Sequence, residues 1–154
     1  MERIGIYGGS FNPPHVGHIQ AAKQAVHALQ LSKLYVIPAG VAPHKELPPN
    51  SPTPEQRLQM LRIALADCPN VEVSAMELER QGASYTYETV LTLKQQHPED
   101  ELVLLMGTDM FLSFPTWKTR NAFWKMRHWA FFTGAKRAKR LPFKPRRKKW
   151  KPGA

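Results

Sequence analysis

Four short apolar runs, separated by stretches of a different periodicity, constrain the fold of this chain more than any other feature. Glu2–Gly8, with Ile4, Ile6 and Tyr7 as its bulky members, reads as a strand. Val16, Ile19, Ala22, Ala25, Val26 and Leu29 then recur at helical spacing. Leu34–Ile37 is a second strand stopped by Pro38. After a loop with prolines at 43, 48, 49, 52 and 54, Thr53 caps a helix over Glu55–Ala66 and Pro54 is its first residue. Val71–Ser74 reads as a strand and Thr86–Gln96 as a helix carrying Val90, Leu91 and Leu93. Glu101–Gly107 has the strongest buried-strand pattern, through Leu102–Met106. Strands alternating with amphipathic helices predict an α/β domain with a mainly parallel sheet and right-handed crossovers.

Ligands of such sheets sit at the carboxyl ends of the strands. Gly8-Gly9 and Gly107-Thr108-Asp109 each follow a strand directly, which predicts that they face one cleft. Glycines there can turn backbone amides toward phosphate oxygens, and the next helix adds its positive end. The run GGSFNPPHVGH, Gly8 to His18, is neither a P-loop nor the fingerprint G-x-G-x-x-G. A double glycine alone is explained equally well by a tight turn without a ligand. His15 and His18 add more: three apart at a helix start, they can present imidazoles on one side and donate to developing phosphate charge. A zinc site needs three protein ligands, and no third lies nearby in sequence. Gly17 allows close backbone approach to a ligand. Asp109, behind a very apolar strand, needs a partner if buried and is a site candidate on that ground.

The length of 154 residues suits one domain with a real core. Cys68 is the single cysteine, beside Pro69, and reads as an inert small apolar residue. No signal-peptide pattern or membrane-length apolar run occurs, so a soluble cytoplasmic protein with no membrane partner is expected. The net charge of +10 would point to nucleic acid, but it is unevenly placed. Residues 1–117 hold eight Lys/Arg against twelve Asp/Glu, net −4, whereas residues 118–154 hold fourteen Lys/Arg and no acid, net +14. The first three-quarters therefore does not read as a nucleic-acid surface.

GGSFNPPHVGH closely resembles the GG-[ST]-F-[DN]-P-x-H-x-GH signature of the nucleotidyltransferase superfamily. Alone it leaves pantetheine-phosphate and cytidylyl transferases open. Pro43-His44-Lys45, Arg57, Ser84–Thr89 and Gly107-Thr108-Asp109 followed by Trp117 narrow the resemblance to bacterial nicotinate-nucleotide adenylyltransferases, over about residues 1–117. The resemblance implies a Rossmann-like parallel sheet flanked by helices, incomplete at its C-terminus. It implies adenylyl transfer from ATP to nicotinate mononucleotide in NAD biosynthesis, with Mg2+ accompanying ATP. Gly8, Gly9, Ser10, Phe11, His15, His18, Gly107 and Asp109 would then border ATP. His15, His18 and Lys45 would be catalytic, and Asn12, Lys45, Thr86 and Trp117 would meet nicotinate mononucleotide. Trp117 offers a flat stacking face.

The resemblance ends after Trp117. Family members continue with further α/β elements and an ISST-x-x-R segment that binds ATP phosphates, and no such segment exists here. Three readings compete for residues 118–154. They could form a basic tail that touches nucleic acid or acidic surfaces. They could form an amphipathic surface segment carrying Phe123, Trp124, Met126, Trp129, Phe131 and Phe132. Or they could be a product of translation out of frame, which the coincident breaks in charge and resemblance favour. A missing charged clamp contact costs about 1.5–3 kcal/mol, so weak or absent activity is expected of this chain.

Overall fold

The computed structural model describes residues 2–40, 48–80, 86–106, 128–132 and 138–139. In chain order these contain β1 (Arg3–Gly9), α1 (Val16–Ala28), β2 (Lys33–Pro38), α2 (Pro54–Ala64) and β3 (Val71–Val73). α3 (Thr86–Gln96), β4 (Glu101–Met106), β5 (His128–Phe132) and β6 (Ala138–Lys139) follow. The sheet runs β3-β2-β1-β4-β5-β6, parallel throughout except for the antiparallel β5–β6 pair. From β1 the chain moves outward through β2 to β3, then crosses back to lay β4 on the other side of β1. The crevice at the carboxyl ends of β1 and β4 is thus a topological switch point.

Side-chain alternation along the strands builds two apolar layers. Leu34, Val36, Val103 and Leu105 join Tyr7 on one face, where α1 contributes Ala22 and Ala25 and α2 contributes Leu61. Ile4, Ile6, Tyr35, Ile37, Leu102 and Leu104 point to the other face and meet Val90 and Leu93 of α3. Because both faces are covered, the strand runs are nearly continuous in apolar residues.

The chain leaves α1 by a Schellman turn without glycine. Gln30 takes a left-handed φ of 51°, its N–H donates to the His27 carbonyl, and the Leu31 N–H donates to the Val26 carbonyl at 3.0 Å. Leu31 is thereby driven under the sheet, 4 % exposed. A Cβ on Gly5 would lie 2.5 Å from Leu31 Cδ1, so the missing side chain in the central strand makes room for this turn. At the amino-end rim, the Tyr35 hydroxyl lies 2.9 Å from His97 Nε2, and His97 Nδ1 lies 3.1 Å from Asp100 Oδ2. Asp100 Oδ1 accepts from the Glu2 N–H at 3.0 Å, which ties α3 to the start of β1.

The α/β class and the order of the first seven elements agree with the sequence reading, with boundaries moved by one or two residues. The strands inside residues 118–154 were not expected. β5 lies parallel to β4, with Val103 opposite His128 and Met106 opposite Phe131. A five-residue aromatic run surrounded by lysine and arginine carries no strand alternation, so its pairing is visible only in the fold. Among the described residues no helix is long and apolar enough to cross a membrane.

Leu105 is fully buried where β4 meets the layer under α1 and α2. Leu105→Ala is expected to lower the unfolding free energy by about 2–5 kcal/mol, read as a fall in the urea midpoint with little change in slope.

Candidate active site

The turn from β1 into α1 is built by four local constraints. Gly8 and Gly9 end β1 and pair with Ile37 and Pro38 of β2. The Ala39 N–H then donates to the Gly9 carbonyl at 2.8 Å, extending the ladder past both strands. Phe11 follows with a left-handed φ of 47°, a conformation that costs a non-glycine residue energy and persists only when its surroundings enforce it. Its ring is 3 % exposed and packs edge-on against Tyr7 and His18, with centroids 5.3 and 5.0 Å away.

The two histidines form the capping box of α1. The Gly17 N–H donates to His15 Nδ1 and the His15 N–H donates to His18 Nδ1, each at 3.1 Å. Their rings stack with centroids 3.6 Å apart and an interplanar angle of 24°. Both Nδ1 atoms accept, so in each neutral ring the proton is on Nε2, leaving two N–H donors side by side. No acidic residue occupies the first turn of α1, and its positive end is uncompensated there. Gly17 has a role within the turn itself. A Cβ there would stand 2.9 Å from His15 Cε1, so glycine makes room for the imidazole to fold back as the cap.

Asn12 bridges outward. Its Nδ2 donates to Ser51 Oγ at 3.1 Å, and Ser51 Oγ donates to the Pro48 carbonyl at 2.6 Å. The Asn12 Oδ1 is buried and has no partner among the described residues. Residues 48–51 are thereby drawn against the turn. Thr53 caps α2 by accepting from the Gln56 N–H at 3.1 Å, with Pro54 behind it.

Of the sequence-predicted site residues, the structure brings together Gly8, Gly9, Ser10, Phe11, Asn12, His15 and His18. Thr86 opens α3. Lys45, Gly107, Asp109 and Trp117 lie outside the described residues, although β4 ends at Met106 beside β1. Sequence reasoning missed the part played by Arg57. It is 2 % exposed, and its Nη1 donates to the Ser10 carbonyl and its Nη2 to the Ala39 carbonyl at 2.8 Å. The available signal was its register: Arg57 stands four before Leu61 and eight before Leu65, on the inward face of α2. Burial makes its charged form harder to hold, an effect that Glu55 nearby partly offsets.

A groove of about 570 Å3 lies at the opposite rim, lined by Ser32, Lys33, Arg62, Cys68, Asn70 and Glu72 among others. It is distant from the carboxyl ends of β1 and β4, where this topology places ligands. Burial chiefly raises the Cys68 thiol pKa, which keeps it protonated. Among the described residues no three His, Cys, Asp or Glu side chains come together as metal ligands.

Burial, and then the neighbouring His15, lower the pKa of His18 below its ordinary 6.5. The native state thus prefers the neutral ring that accepts the His15 N–H. Its contribution to stability is complete above about pH 6.5 and is lost as pH falls through the folded-state pKa. Proton NMR titration should place His18 below 6.5, with amide-exchange protection in the first turn of α1 falling over the same interval.

The sequence model described as cytidylyltransferase-like matches residues 6–146. The chain is 43% identical over 117 residues to a Geobacillus thermodenitrificans protein named "Probable nicotinate-nucleotide adenylyltransferase", a match covering 76% of this chain and 54% of that one. It is 37% identical over 117 residues to the Bacillus subtilis nicotinate-nucleotide adenylyltransferase, covering 76% of this chain and 61% of that one. The chain thus spans little more than half the length of these curated relatives. The fold is similar to that of the Plasmodium falciparum nicotinic acid mononucleotide adenylyltransferase complexed with NaAD. That likeness has a TM-score of 0.68 at 17% identity and covers 86% of this chain and 75% of that one.

Proposed function

The chain belongs to the cytidylyltransferase-like family, and on that premise we propose that its cleft transfers the adenylyl group of ATP to nicotinate mononucleotide. A phosphate oxygen of the mononucleotide attacks the α-phosphorus, the bond from that phosphorus to the bridging oxygen breaks, and pyrophosphate leaves. The acceptor phosphate is ionised near neutral pH, so the step needs no protein nucleophile. Catalysis comes from positioning and from stabilising charge on the phosphate oxygens. The observation that carries this reading is the stacked histidine pair, whose Nδ1 atoms are engaged as caps and whose Nε2–H groups remain as donors.

In this reading Gly8, Gly9, Ser10 and Phe11 border the triphosphate with Gly107 and Asp109, and Lys45 adds positive charge beside it. Asn12, Thr86 and Trp117 meet the mononucleotide. The relatives' names favour a pyridine mononucleotide over pantetheine phosphate as acceptor. Mg2+ is the expected counter-ion of the triphosphate. Among the described residues no three His, Cys, Asp or Glu side chains gather as ligands, so in this reading the ion is carried by the triphosphate.

Residues 1–117 form the catalytic domain in this reading, and residues 118–154 are a basic segment that the family match enters as far as residue 146. The matches to both bacterial relatives run over 117 of the 154 residues, and all the excess basic charge lies in residues 118–154. β5 nevertheless uses part of that segment to extend the sheet. An ISST-x-x-R segment in another frame of the coding DNA would assign the segment to a frameshift. Its absence from every frame would leave a genuine basic tail, for which salt-sensitive nucleic-acid binding is the test.

Incubating the purified chain with ATP, Mg2+ and nicotinate mononucleotide should give nicotinate adenine dinucleotide, read by mass spectrometry, at a rate below that of the full-length relatives. His18→Ala should lower that rate by about 10²–10³. A rate unchanged by His18→Ala would remove the histidine pair from the chemistry.

A further inference from the structure

Arg57 is a buried cation whose hydrogen-bond partners among the described residues are both backbone carbonyls. Its guanidinium spans from α2 to the Ser10 carbonyl behind β1 and the Ala39 carbonyl behind β2. Among the described residues no carboxylate lies within ion-pair distance of it, and its buried Nε has no partner. Burying a charge is costly, and Glu55 nearby offsets that cost only in part.

The two carbonyls it holds are well placed. Ala39 is already fastened to Gly9, so the guanidinium closes a ring that fixes the exits of β1 and β2 against each other. In a planar trans peptide the C=O and the following N–H point in opposite directions. Holding the Ser10 carbonyl to Arg57 therefore turns the Phe11 N–H to the other side of the turn. Phe11 is also the residue with left-handed φ, and its ring seats His18.

We propose that Arg57 is a positioning residue for the triphosphate: it sets the Ser10–Phe11 peptide and the seat of His18, and it supplies buried positive charge that a bound polyphosphate balances. This rests on the reading of the cleft as a nucleoside triphosphate site. Arg57→Lys keeps the charge but cannot bridge two carbonyls with a planar fork. Arg57→Met removes the charge and keeps most of the volume.

Calorimetric titration of the full chain with inorganic tripolyphosphate, ATP and adenosine, for wild type and both variants, tests the proposal. Arg57→Met should weaken tripolyphosphate and ATP by about tenfold or more while leaving adenosine affinity unchanged. Arg57→Lys should fall between that variant and wild type. Equal losses for all three ligands, or no loss for any, would make Arg57 a structural staple and overturn the proposal. Failure of both variants to fold, by circular dichroism, would overturn it in the same way. A wild-type chain that binds neither tripolyphosphate nor ATP would overturn the triphosphate reading itself. Normal wild-type binding with unaffected variants would remove the role of Arg57 alone.

Discussion

A helix that starts directly behind a strand-exit turn leaves its first amides without intrahelical partners, and α1 meets that need with imidazole nitrogens. Serine, threonine or aspartate would serve the helix as well or better. Histidine at both ends of the box does something those residues do not. Using Nδ1 as the cap fixes the tautomer, and the remaining Nε2–H of each ring is a donor held in place by the helix itself. The other features of the turn follow from keeping that box intact. Gly17 clears space for the first ring, and Phe11 packs against the second.

The sheet supports this arrangement unequally along its length. At the amino-end rim, Tyr35, His97, Asp100 and the Glu2 backbone form a closed polar chain, and Arg3 lies 3.5 Å from Glu101 while donating to the Leu29 carbonyl at 2.8 Å. At the carboxyl-end rim, the described groups are left with open capacity: the Asn12 Oδ1 and Arg57 Nε are buried and without partners among the described residues. Ligands of parallel sheets sit at this same rim, beyond the carboxyl ends of the strands.

Much of this was legible in the residues. The first strand, the Thr53-Pro54 start of α2 and the very apolar β4 follow from periodicity and capping chemistry, and the glycine-histidine turn announces itself by composition. What the sequence withheld depends on contacts between distant segments. Spacing put His15 and His18 on one side, but not their reciprocal capping, which needs the backbone path through Phe11. Arg57 stood out only by resemblance, and its contacts stayed hidden because its partners are carbonyls 47 and 18 positions away. β5 was obscured by its basic surroundings, and its pairing depends on the free edge that β4 presents.

Amide NMR with ATP is the sharpest test of whether polyphosphate binds at the β1–α1 turn. Titrating ATP into the 15N-labelled protein should shift the amides of Gly8 to Phe11 and of His15 to His18 most strongly. The amides around Ser32 and Asn70, in the groove at the opposite rim, should stay in place. The largest shifts in that groove, with the Gly8–His18 amides unmoved, would place polyphosphate binding away from the turn.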